Sequence, residues 1–133
     1  MDTVTVDVVL AAVDGSDASR HAIEVAVPIA ERYGASLHVL FVSDAVDHSA
    51  AMIADAEAAA DPVDVQVTSS VAEGFSQQRL GQHPGTVICE AAADAGADFI
   101  VIPREQIDSP EVNILEKAAE YVLGNAQQPV LSV

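Results

Sequence analysis

The chain has 133 residues with 5 basic and 21 acidic side chains, a formal net charge of −16, and half of it is apolar. That length is the length of one domain, and no apolar run approaches the ~18 residues a membrane span requires. A single cysteine, Cys89, excludes an intrachain disulfide and a Cys-rich metal site, while a surface this acidic repels the phosphate backbones of nucleic acids.

Residues 5–13 are rich in β-branched side chains and end at Asp14-Gly15, which predicts a first strand running into a turn. Ser16 or Asp17 can cap the following helix, in which Ile23, Ala26, Val27, Ala30 and Tyr33 recur on one face until Gly34 stops it. Pro28 is expected to kink that helix, since its ring displaces the bond to the Glu24 carbonyl. Residues 36–42 read as strand two. Met52, Ile53, Ala56 and Ala60 mark a short Ala-rich helix between Asp47 and Asp61, and residues 63–71 read as strand three. Residues 74–83 have no clean period and read as an exposed loop.

Pro84 opens a third helix that Gly96 ends, and residues 98–103 form a fourth, nearly all-apolar strand. Ser109-Pro110-Glu111 combines a capping hydroxyl, a proline at the first helical position and a carboxylate at the positive end of the dipole. Ile114, Leu115, Ala118, Tyr121 and Val122 supply the buried face of that last helix, Gly124-Asn125 ends it, and residues 129–133 close the chain as a fifth strand. Alternating strands and helices with strands apolar on both sides predict an α/β fold, a parallel sheet covered by helices on both faces. No linker divides the chain, so residues 1–133 read as a single domain.

Several stretches together resemble the universal stress protein family: residues 8–19 with Asp14-Gly15-Ser16 after the first strand, residues 30–40 around Tyr33-Gly34-Ala35, residues 96–102, and the terminal Pro129-Val130-Leu131-Ser132-Val133. The resemblance spans essentially the whole chain. It implies a doubly wound, Rossmann-like five-stranded sheet in the order 3-2-1-4-5 and a homodimer. Many members of this family bind ATP through a signature after strand four: Gly, two residues, Gly, nine residues, then Gly-Ser or Gly-Thr. Glycines let the backbone pass close to phosphates with its N–H groups turned inward, and the hydroxyl and helix start receive the charge. Here those positions hold Pro103, Gln106 and Glu116-Lys117. Pro103 removes a donor, Gln106 adds bulk, Glu116 places a carboxylate where a phosphate would rest, and the early start at Ser109 turns the phosphate loop into helix. A bound triphosphate is therefore not expected. Asp14, Val42 and Ile102 match the positions that contact the nucleoside in ATP-binding relatives, so a nucleoside or AMP-like ligand stays open beside the plainer reading of a turn cap and two core aliphatics.

Other patterns have plain explanations. Asp44 to His48 lacks a further clustered metal ligand and suits an acidic helix start; Ser16, His21 and Asp14 are close in sequence without a nucleophile elbow; Cys89 lies on the apolar side of its helix; His38 has no evident partner. Val130, Leu131 and Val133 are apolar on an edge strand with no charge as guard, which predicts a homodimer joined along Val130 to Val133. The sequence thus predicts a cytoplasmic, non-enzymatic stress-type homodimer with an unidentified protein partner and no cofactor, the alternative being an adenine-nucleotide switch or slow ATPase with a remodelled phosphate site. Twelve Asp and nine Glu beside one Lys fit a very salty cytosol, in which charge is screened within ~3 Å at 1 M.

Overall fold

The computed structural model describes residues 6–13, 17–42, 49–72, 84–103 and 122–133. The elements run β1 (Val8–Val13), α1 (Asp17–Tyr33), β2 (Ser36–Val42), α2 (Ser49–Ala60), a 3₁₀ turn (Asp61–Val63), β3 (Val67–Ala72), α3 (Pro84–Ala95), β4 (Phe99–Ile102) and β5 (Val130–Ser132). Every strand pairing is parallel, and the sheet order is β3-β2-β1-β4-β5.

Because side chains alternate across a strand, the sheet divides its apolar residues between two cores. Val9, Ala11 and Val13 of β1, Leu37, Val39 and Phe41 of β2, and Val101 of β4 meet α1 and α2 on one face. Leu10, Ala12, Leu40, Ile100 and Ile102 meet Ile88 and Ala92 of α3, and Val122, on the other. The α1–α2 core is built largely of alanine and valine, and the α3 core adds leucine and isoleucine to them, so close packing of aliphatic side chains replaces aromatic bulk.

One chain reversal is used three times to bring a helix back to the sheet. At the end of α1 the Gly34 N–H donates to the Glu31 carbonyl at 3.2 Å and the Ala35 N–H to the Ala30 carbonyl at 2.8 Å. After α3, Gly96 donates to Ala93 at 3.1 Å and Ala97 to Ala92 at 2.8 Å; after α2, Asp64 donates to Asp61 and Val65 to Ala60, both at 3.2 Å. All three are the Schellman pattern, whose pivotal residue lies in the left-handed region: Gly34 at φ 65°, Gly96 at φ 70°, Asp64 at φ 58°. The third corrects the sequence reading. Strand three was expected from residue 63, but Asp61–Val63 is a 3₁₀ turn and β3 begins at Val67. Aspartate tolerates the left-handed conformation but does not announce it as glycine does.

One smaller correction concerns the end of α1. Tyr33, expected on the buried face, is 48% exposed, because the chain leaves the helix at the next residue. Pro28 lies within the helix Asp17–Tyr33, on its exposed side with Glu24, where water can satisfy the carbonyl it cannot reach. The loop expected at residues 74–83 and the helix start at Ser109 lie outside the described residues; residues 122–125 are helical.

The start of β4 is tied to the start of β1 by one carboxylate. Asp98 Oδ2 accepts from the N–H groups of Asp7 at 2.8 Å and Val8 at 3.3 Å, and the Asp98 N–H donates to the Val8 carbonyl at 2.8 Å. Asp98→Ala orphans both side-chain bonds at once. It should cost about 1–3 kcal/mol in denaturant unfolding, while Asp98→Asn, which keeps an acceptor oxygen, should cost less than half as much.

Candidate functional site

In a sheet ordered 3-2-1-4-5, successive connections leave β1 in opposite directions, so a crevice opens beyond the carboxyl ends of β1 and β4. The two strands are in direct register, Ala11 opposite Val101, and reach their carboxyl ends side by side. Ile102, the last residue of β4, is fully buried in the core shared with Leu10, Ala12 and Ile88, and Pro103 just beyond it is buried too. Val42 is the last residue of β2 and pairs with Ala72. Asp14, Gln106, Glu116 and Lys117 lie outside the described residues, as do Asp44 to His48. The fold therefore brings Val42, Ile102 and Pro103 to the carboxyl-terminal edge of three strands, with Asp14 next in sequence after Val13.

At the opposite end of the sheet lies an open groove of about 600 Å³, lined by Cys89, Ala92, Asp98 and Gln128 among others. The Cys89 thiol is half-buried, and burial together with the nearby Glu90 charge pushes its pKa up, away from the reactive thiolate. His21 is exposed, with Nδ1 3.9 Å from the Glu24 carboxylate. Among the described residues no cluster of three or more His, Cys, Asp or Glu could hold a metal, and no helix is long and apolar enough to cross a membrane.

One constellation escaped sequence reasoning. His38 on β2 pairs in register with Thr68 on β3, and both its ring nitrogens are engaged: Nδ1 with Thr68 Oγ1 at 2.7 Å and Nε2 with Ser70 Oγ at 2.8 Å. Burial lowers the imidazole pKa below its ordinary value, so the ring is neutral at pH 7 and one nitrogen is a free base. The signal was two hydroxyls spaced i, i+2 on a strand; only the register of β2 on β3 shows that they flank a histidine.

The model of the Universal stress protein family matches residues 5–133. The chain belongs to the universal stress protein family. No curated protein matches it. Among solved structures it is similar to a universal stress protein in complex with cAMP, at 21% identity and a TM-score of 0.75, with 98% of each chain covered. It is similar also to a universal stress protein family member from Burkholderia pseudomallei, at 23% identity and a TM-score of 0.71, covering 96% of this chain and 95% of the other. A third is the universal stress protein from Archaeoglobus fulgidus in complex with dAMP, at 16% identity and a TM-score of 0.69, with 98% of each chain covered. At these identities the likeness to the three structures is one of fold, and the strand order of this universal stress protein is the one its sequence resemblance implied.

Proposed function

We propose that this universal stress protein is a non-enzymatic regulator that works through protein contacts as a homodimer, without dependence on bound ATP. The observation that carries this reading is Pro103, buried directly beyond β4 at the crevice, where the ATP-binding signature of the family opens with glycine. A proline there has no N–H to offer a phosphate, and its ring fills the space that a glycine leaves to a ligand. Salt can screen the repulsion of a −16 chain, but it restores neither a missing donor nor the space of a ring.

A second reading is supported by two of the similar structures, whose ligands, cAMP and dAMP, each carry a single phosphate. A nucleoside monophosphate could use Asp14 and Val42 without the phosphate loop, the fully buried Ile102 serving as core. Titration calorimetry with ATP, AMP and Mg²⁺ in multimolar KCl separates the two. The expected result is no binding of ATP up to about 1 mM, with or without Mg²⁺, corresponding to less than about 4 kcal/mol of affinity. Micromolar ATP binding that requires Mg²⁺ overturns the first reading; micromolar AMP binding lost in Asp14→Ala establishes the second.

A further inference from the structure

We propose that Ser70 is an activated nucleophile, a site at which the protein takes up an acyl group from small activated acyl donors, with His38 as the base. The arrangement is that of a hydroxyl, an imidazole and a third group that orients the imidazole, each pair within hydrogen-bond reach. With the ring proton on Nδ1, His38 donates to Thr68 Oγ1 at 2.7 Å, and Nε2 accepts from the Ser70 hydroxyl at 2.8 Å. The opposite tautomer would activate Thr68 instead, but a secondary alcohol is the more hindered, so the adduct forms on Ser70. The ring is neutral at pH 7 because burial disfavours its charged form, which leaves the base available.

The position of Ser70 makes it reachable. It sits on β3, an edge of the sheet, and both it and Thr68 are exposed while His38 is half-buried behind them. The Leu37 N–H donates to the Gln66 carbonyl, which sets the alternation: Gln66, Thr68 and Ser70 turn their main chain toward β2, whereas Ser69 and Val71 turn theirs to the open edge. Main-chain donors able to meet a developing oxyanion therefore adjoin Ser70 on both sides. Thr68 and Ser70 are both exposed, which suits small, intrinsically reactive acyl compounds such as acyl phosphates or aryl esters rather than a shape-recognised substrate.

The step is an acyl transfer without redox change. Ser70 Oγ attacks the carbonyl carbon as its proton passes to His38 Nε2. The tetrahedral adduct then expels the leaving group, which receives that proton, and the product is one O-acylserine per chain.

Ser69 is a control built into the strand. It is exposed like Ser70 but points to the opposite face, away from the imidazole. The test treats the intact protein with p-nitrophenyl acetate in its KCl buffer, quenches in acid, and locates acetyl groups by peptide mass spectrometry. Acetylation of Ser70 at least about tenfold above Ser69 is expected, since a positioned base contributes about a hundredfold or more. His38→Gln should bring Ser70 down to the level of Ser69. Thr68, as a positioning residue, should lower Ser70 labelling when changed to valine and restore it when changed to serine. Equal acetylation of Ser69 and Ser70 in the wild-type protein overturns the proposal, whatever the folding of the variants. So does undiminished labelling of Ser70 in a His38→Gln protein whose circular dichroism matches the wild type.

Discussion

Leu131→Asp is expected to convert the proposed dimer to a monomer, read by light scattering as a halved mass with unchanged circular dichroism. Among the described residues β5 is an edge of the sheet and pairs with β4 alone, so its outer row of N–H and C=O groups faces away from the sheet, where a second chain can pair with it. Val130 packs on one core and Val133 on the other, but Leu131 is 37% exposed. No charged side chain occurs among residues 126–133 of a chain that otherwise carries one net negative charge per eight residues or so. Copies that repel elsewhere can approach here. A two-fold interface counts each substitution twice, and each aspartate both removes about 2 kcal/mol of apolar burial and leaves a carboxylate to desolvate. The dissociation constant should rise by more than about a hundredfold, and added KCl should not reverse it, because desolvation is not a screening effect. An unchanged mass at micromolar concentration places the interface elsewhere.

Phe41→Ala should be the most damaging single truncation. Among the described residues Phe41 is the largest fully buried side chain, and it shares the α1–α2 core with Ala11, Val13, Ala56 and other small residues. Alanines have no side chain to swing into a void, so the cavity stays open. The expected loss is about 3–5 kcal/mol in denaturant unfolding at fixed KCl, against a total stability of about 5–15 kcal/mol for a domain of this kind. Tyr33→Ala is the contrast: an aromatic of similar size, half exposed at the end of α1, whose loss should cost less than about 1 kcal/mol. Equal effects of the two would mean that the α1–α2 core rearranges around the missing ring.

Most of the fold was legible because its signals are local. Gly34 and Gly96 stop their helices as glycines in the left-handed region do, and the apolar runs around Val9 and Ile100 alternate between two faces. The errors fell where the local signal was muted. Asp64 makes the same turn as the two glycines with an ordinary residue, and Tyr33 keeps the helical spacing at a position where the chain is already departing. For the crevice, the residues that the family resemblance aligns with the glycine signature were readable one by one, and the fold adds the burial of Pro103 beside Ile102.

Composition and period, read along the chain, determined the class of fold, the helix stops and the two-sided core strands, because each depends on neighbours within a turn or two. Only the tertiary structure decided which residues thirty apart share an edge. His38 meets Thr68 and Ser70 through the register of β2 on β3, and Asp98 meets the start of β1 across ninety positions. Register is set by how α1, α2 and α3 pack on the sheet as a whole, and a shift of one residue would turn His38 to the opposite face.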